Sequence, residues 1–211
     1  MNFDNPSLHM TTPAHPRYLV FAASLRTGSL NHQLARFAAD RIAQRGGLID
    51  FASFRAFDAP SYDQDLEEQE GIPPQAQSFR QHLAVADALV IASPEYNASF
   101  PGGLKNAIDW VSRFKPNPLA GKHALLISAS PSMMGGNRGL WSLRIPLEKL
   151  GVRVFPEMFS LAQADRAWTP DGQLKDEMLD RMLNKMLADF THTVAAVKHY
   201  TPDPLLTPLV G

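Results

Sequence analysis

The chain of 211 residues contains no cysteine. That excludes disulfides, thiolate metal sites and a cysteine nucleophile, and it fits a reducing, cytoplasmic compartment. Neither sign of charge is in excess: 20 Lys and Arg against 21 Asp and Glu leave a net charge of -1. No global field draws nucleic acid or an acidic lipid surface, so neither is expected as a partner. No run approaches the roughly 18 apolar residues of a membrane span, so no membrane segment is expected. A Walker A loop, a G-x-G-x-x-G fingerprint near the first helix and a G-x-S-x-G elbow are also missing. Their absence leaves the P-loop, dinucleotide-fold and serine-hydrolase readings without support. His192 and His199 have no carboxylate pattern beside them, and Asp63, Asp65, Glu67, Glu68 and Glu70 read as a solvated acidic stretch. No metal site is expected.

Hydrophobic residues make up 45% of the chain, enough for a sizeable core in one domain over 17–200. Residues 1–16 have no basic start and no apolar stretch, and are expected to form a flexible arm rather than a secretory signal. The proline-rich residues 201–211 are expected to form a second loose end. Between them, apolar runs alternate with helical periods. Strands are predicted at Arg17–Ala23, Leu48–Phe54, Asp87–Ser93, Lys122–Ser128 and Val152–Phe159, with Pro156 marking the last as an edge. Helices are predicted at Leu30–Arg45, Gln75–Ala86, Phe100–Phe114, Asn137–Leu150 and Leu174–Tyr200. Gly46-Gly47 stops the first helix, and Pro146 should kink or divide the fourth. Arg55–Pro74 reads as a polar loop. Five strands alternating with helices predict a three-layer α/β sandwich with a parallel sheet in the flavodoxin-like order 2-1-3-4-5. In that order strands 1 and 3 are neighbours at the switch point where ligands bind.

Three segments leave the strand ends that meet there. After strand 1, Ser24-Leu25-Arg26-Thr27-Gly28-Ser29-Leu30-Asn31 combines hydroxyls, a guanidinium, an amide and a flexible glycine with the start of a helix. Unpaired N–H groups and the helix dipole would favour an anion such as a phosphate. An ordinary loop ending in a Ser29 helix cap explains the same residues. After strand 3, Ser93-Pro94-Glu95-Tyr96-Asn97 is a rigid turn. Its backbone and Tyr96 could frame a planar ring, or it could simply lead into the next helix. After strand 4, Ser128 is followed by Gly135-Gly136, a close backbone approach or a flexible loop.

Taken together and in order, these segments resemble the NAD(P)H-dependent FMN reductase family of the flavodoxin-like superfamily, which includes quinone, chromate and azo-dye reductases. The resemblance runs from about Arg17 to about Phe190. It rests on Ser24-Leu25-Arg26 with Ser29 and Asn31, and on Pro94-Glu95-Tyr96-Asn97 leading to Lys105-Asn106-Ala107-Ile108-Asp109-Trp110. Gly135-Gly136 followed by Leu143-Arg144 completes it. The family commonly has glycine before the first serine, where this chain has Ala23. The resemblance implies that Ser24, Arg26, Ser29 and Asn31 hold the FMN phosphate, with Leu30 among the cofactor-binding residues. Pro94, Glu95, Tyr96 and Asn97 would line the ring and ribityl chain, and Ser128, Gly135 and Gly136 would close the opposite side. It implies an enzyme that passes hydride from NAD(P)H through FMN to quinones, azo compounds, free flavin or oxidised metal species. No side chain is required as acid or base, and ping-pong kinetics are expected. A homodimer or homotetramer is implied, with Phe100, Trp110, Phe114 and Trp141 as candidate contacts, although each could equally belong to the core. The competing reading is a non-catalytic electron carrier or redox-responsive binding protein of the same fold.

Overall fold

The computed structural model describes residues 15–198. Apart from His15 and Pro16, the arm expected over 1–16 lies outside them, as does the tail over 201–211.

The strands β1 (Arg17–Ala22), β2 (Leu48–Phe51), β3 (Ala88–Ala92), β4 (His123–Ala129), β5 (Arg153–Val154) and β6 (Phe159–Leu161) form one sheet. Its order is β2-β1-β3-β4-β5, with β6 also on β4, and every pairing is parallel. The expected order holds. The expected fifth strand is two strands: the Phe155 N–H still donates to Ala124 of β4 at 2.8 Å, but the chain then leaves the ladder at Pro156, which has no N–H to donate. The guanidinium of Arg144 covers the break, donating to the Phe155 carbonyl at 2.9 Å.

Alternate residues of β1 point to opposite faces, as a pleated strand requires. Tyr18, Val20 and Ala22 enter a core shared with α1 (Leu30–Gln44) and α6 (Glu177–Lys198). Leu19, Phe21 and Ala23 enter a second core with α3 (Pro74–Val85), α4 (Gly102–Val111) and α5 (Asn137–Lys149). Both faces of β1 and β3 are covered, which accounts for their continuous apolar sequences. Pro146 sits inside α5 without dividing it.

Residues 55–74 are more ordered than a polar loop. They include most of a 3-10 turn, η1 (Phe54–Phe57), and all of a short helix, α2 (Gln64–Glu70). Phe54 and Phe57 are buried and pack around Phe21 and Phe79, with ring centroids 4.6 to 6.1 Å apart. Two residues one helical turn apart on α4 then pin the next segment. Asn106 accepts from the Tyr62 N–H at 2.7 Å and donates to the Ala59 and Pro60 carbonyls, each at 2.9 Å. Trp110 donates its indole N–H to Pro60 at 2.7 Å and is 0% exposed. Trp110 is therefore not a subunit contact: it is the centre of a small core with Ala59 and Ala76.

At the N-terminal end of the sheet, charges are used internally. Asp87 accepts from the Arg17 N–H and from Lys198 Nζ, both at 2.8 Å. Burial opposes its ionisation, but these donors outweigh it and hold the carboxyl below the ordinary range. Burial pushes the Lys122 ammonium down, while its Nζ donates to the Ala86 carbonyl at 2.6 Å.

Candidate functional site

The C-terminal end of the sheet is aligned by ladder-like hydrogen bonds. The N–H of Ala23 donates to Ala92 at 2.9 Å, that of Ser93 to Ile127 at 2.9 Å, and that of Ser130 to Leu161 at 3.1 Å. The loops leaving β1, β3 and β4 therefore start side by side. They enclose a cleft of about 220 Å³ whose walls include Ser24, Arg26, Ser29, Pro94, Tyr96 and Ser130, with Leu30, Asn31 and Glu95 also lining it.

The β1–α1 loop is built to leave donors unspent. Ser29 caps α1, its Oγ accepting from the His32 N–H at 3.4 Å. No acidic residue occupies the first turn. The N–H groups of Leu30 and Asn31 make no hydrogen bond among the described residues. Gly28 has φ +70° and open space where a Cβ would stand. Ser24 Oγ accepts from the Arg26 N–H at 3.3 Å, and the Arg26 guanidinium turns back to the Gly28 carbonyl at 3.1 Å. Arg26 pairs with no carboxylate among the described residues. Ala23, where the related pattern has glycine, is 2% exposed and lacks the positive φ that would require glycine, so its methyl simply joins the core.

Asn31 is a tie rather than a free donor. It is 3% exposed, gives its amide N–H to the Ala129 carbonyl at 2.8 Å and accepts from the Ala129 N–H at 2.9 Å. It fastens the start of α1 to the end of β4, and so holds two walls of the cleft together.

The turn after β3 is a tight hairpin. Tyr96 and Ser99 exchange backbone hydrogen bonds at 2.8 and 3.0 Å, and Asn97 and Ala98 between them have φ of 51° and 62°. Positive φ at both central positions is the type I′ geometry. Asn97 adopts it readily, whereas for Ala98 it costs about 1–2 kcal/mol. The result is a protruding Tyr96, 54% exposed, beside the cleft. Asn97 is exposed at the hairpin tip and does not line the cleft itself.

The β4–α5 segment is packed inward. Ser128 is fully buried and donates to the Gly135 carbonyl at 2.6 Å. A Cβ on Gly135 would lie 2.9 Å from the Ser160 backbone, and one on Gly136 would lie 2.8 Å from Ser128 Oγ. These glycines permit close approach, as their sequence suggests, but to β4 and the β6 strand rather than to the cleft. The start of α5 is closed by Glu95, whose carboxylate accepts from the Arg138 and Gly139 N–H groups at 3.0 and 3.2 Å and pairs with the Arg138 side chain.

One basic residue escaped the sequence reading. Arg55, on η1, donates to the Leu25 carbonyl at 2.8 Å and faces the same β1–α1 loop from the β2 side. Its sequence surroundings are acidic and proline-rich, and only the parallel pairing of β2 with β1 brings it there.

The arrangement suits a phosphorylated planar ligand: an anion end at α1, an aromatic wall at Tyr96, and a close backbone on both sides. A family model for NADPH-dependent FMN reductase matches residues 16–166. The chain is 37% identical over 168 residues to a quinone reductase of Escherichia coli, covering 78% of this chain and 88% of that protein. It is 35% identical over 173 residues to an NAD(P)H-dependent FMN reductase of Pseudomonas aeruginosa, covering 81% and 91%. Among solved structures, a flavoenzyme NAD(P)H:(acceptor) oxidoreductase from Paracoccus denitrificans superposes with a TM-score of 0.73 at 28% identity, over 86% of this chain and 98% of that one. With its three loops gathered at one sheet edge, the chain belongs to the NADPH-dependent FMN reductase family and is an FMN- and NAD(P)H-dependent oxidoreductase.

Proposed function

We propose that this protein is a quinone reductase whose FMN lies in the cleft between the β1, β3 and β4 loops. One observation carries the reading: at the switch point of the sheet, the Leu30 and Asn31 N–H groups at the start of α1 have no partner and Arg26 no carboxylate among the described residues, while Asn31 and Glu95 tie the neighbouring loops down. That is what a phosphate requires, and the fold class places ligands at this point.

In this reading the Leu30 and Asn31 N–H groups, the Ser24 and Ser29 hydroxyls and the Arg26 guanidinium hold the phosphate. The backbone from Pro94 to Tyr96 borders the ring, with Tyr96 against its edge or face. Asn31, Asn97, Ser128, Gly135 and Gly136 act behind them: Asn31 and Ser128 lock the loops, Asn97 sets the hairpin, and the glycines seat α5. FMN, when bound, supplies the two-electron chemistry between NAD(P)H and the acceptor. The protein supplies orientation and an uncluttered approach. Tyr96, 54% exposed, lines the cleft, and Met133 and Met134, 73% and 51% exposed, follow Ser130 and Pro131 on the loop that lines it from β4. Exposed, adaptable apolar side chains suit a planar acceptor, a quinone first and azo compounds, free flavin or oxidised metal species after it. Trp141 and Ile145, one turn apart on the outer side of α5, are 58% and 72% exposed, which supports a homodimer or homotetramer formed through that helix. Phe100 and Phe114, half-buried, stand at the edge of the second core. The reading includes a cytoplasmic location, the compartment that supplies an NAD(P)H donor. Among the described residues no helix is long and apolar enough to cross a membrane.

The test is a visible spectrum of the FMN-saturated, desalted protein before and after anaerobic NADPH or NADH, followed by addition of a benzoquinone. Retained flavin that bleaches with nucleotide and recovers with quinone is expected. Retained flavin that neither nucleotide bleaches would overturn the reading in favour of an electron carrier.

A further inference from the structure

We infer that the cleft on the β2 side of the β1–α1 loop is a second phosphate subsite, where Arg55 takes a phosphoryl group lying beyond the flavin's own 5′-phosphate. The inference rests on the flavin reading above. The cleft measures about 420 Å³ and shares Ser24, Arg26 and Ser29 with the flavin cleft, so the two meet at the anion end. Its other wall is Ser53 and Arg55. No carboxylate lines it, although the chain carries 21 acidic residues. Some arginines are taken up by carboxylates, as Arg41 is by Asp180, Arg113 by Glu67, Arg138 by Glu95 and Arg144 by Glu148, whereas others, such as Arg36 and Arg80, lie over aromatic rings instead. Arg26 and Arg55 have no carboxylate among the described residues, yet both border this one cleft.

Arg55 is held in place rather than left to wander. Its neighbours Phe54 and Phe57 are 4% and 1% exposed in the aromatic knot with Phe21 and Phe79. One of its five N–H groups is spent on the Leu25 carbonyl, leaving the rest of the planar fork for an anion. The volume falls in the range of small-molecule sites, so a phosphate with an attached sugar fits. Two nucleotides could supply that group. The second phosphate of FAD would enter directly from the flavin phosphate position, which the shared wall favours. The 2′-phosphate of NADPH, which NADH lacks, is the other source.

The experiment titrates flavin-free protein with FMN and FAD by fluorescence quenching, and FMN-loaded protein with NADP⁺ and NAD⁺ by flavin difference spectra. The proteins are the wild type, Arg55→Ala and Arg55→Gln. Gln keeps a donor for the Leu25 carbonyl but removes the charge. Loss of the charge-assisted contact should weaken FAD about tenfold in both variants while FMN changes less than about twofold. If the phosphate comes from NADPH instead, NADP⁺ weakens about tenfold while NAD⁺ and the FAD-to-FMN ratio stay put, which also supports the subsite. Equal effects within each pair of ligands would overturn it and leave Arg55 a clamp on the loop. A wild-type chain that binds FMN nowhere would overturn the flavin reading and the subsite with it, a result distinct from equal effects on a protein that does bind FMN.

Discussion

Two helices begin at the same end of the sheet, on its opposite faces, and they are finished differently. Both α1 and α5 follow a glycine with positive φ, +70° at Gly28 and +91° at Gly136. At α5 the Glu95 carboxylate takes the first N–H groups, and its charge opposes the positive end of the dipole. At α1 only the Ser29 hydroxyl caps, through His32, and no acid stands in the first turn. One terminus is closed by a carboxylate of the chain; the other keeps the Leu30 and Asn31 N–H groups without a partner among the described residues, which is what the proposed phosphate would use. A helix N-terminus after a glycine is therefore not yet a site. What decides is whether the chain supplies its own carboxylate.

The comparison is broken most severely by Gly136→Ala. The methyl would stand 2.8 Å from Ser128 Oγ at a φ that alanine disfavours. A loss of about 3 kcal/mol is expected, read as a lower urea midpoint at unchanged slope. The equivalent change at Gly28, where nothing lies within 4 Å, should cost only the backbone strain of about 1–2 kcal/mol. Glu95→Ala opens the start of α5 and leaves Arg138 unpaired. About 2 kcal/mol of stability should disappear, again by urea denaturation. Ser29→Asp works in the opposite sense and closes α1. Asp caps as well as Ser, so stability should move by no more than about 0.5 kcal/mol, while FMN binding weakens about tenfold or more through charge repulsion. Unchanged FMN affinity by fluorescence titration would remove α1 from the phosphate site. The smallest effect belongs to the hairpin that carries Tyr96. Ala98→Gly relieves its positive φ and should raise stability by about 0.5–1 kcal/mol, measured as an increase in Tm.

Much of this was legible from residues alone. The apolar runs of β1 and β3 and the period of α1 are local signals, and neither has a competitor that burial could favour. Ser24, Arg26 and Ser29 stood out because hydroxyls and a guanidinium gather ahead of a helix. Other features were not legible, for reasons that lie in long-range contacts. Pro156 marks the last strand as an edge, but does not show that Arg144 reaches from α5 to donate to the Phe155 carbonyl where that strand breaks in two. The order in 55–74 comes from Asn106 and Trp110 of α4, a segment whose own pattern buries no residue of α2. Trp110 reads equally as a subunit contact or a core residue until its partner Pro60 is placed beside it. Arg55 reads as one charge in an acidic stretch until β2 docks on β1.

By itself the sequence determined the alternation of strands and helices, the parallel order that follows from it, and the anion-seeking character of the first loop. These depend on periodicity, handedness of crossover and residue chemistry, which act over a few neighbouring residues. Only the tertiary structure decided which donors stay unspent. Hydrogen-bond satisfaction is settled between residues far apart in the chain: Asn31 with Ala129, Glu95 with Gly139, Arg55 with Leu25. A binding site is what remains after those partners have been assigned, and no local pattern records that assignment.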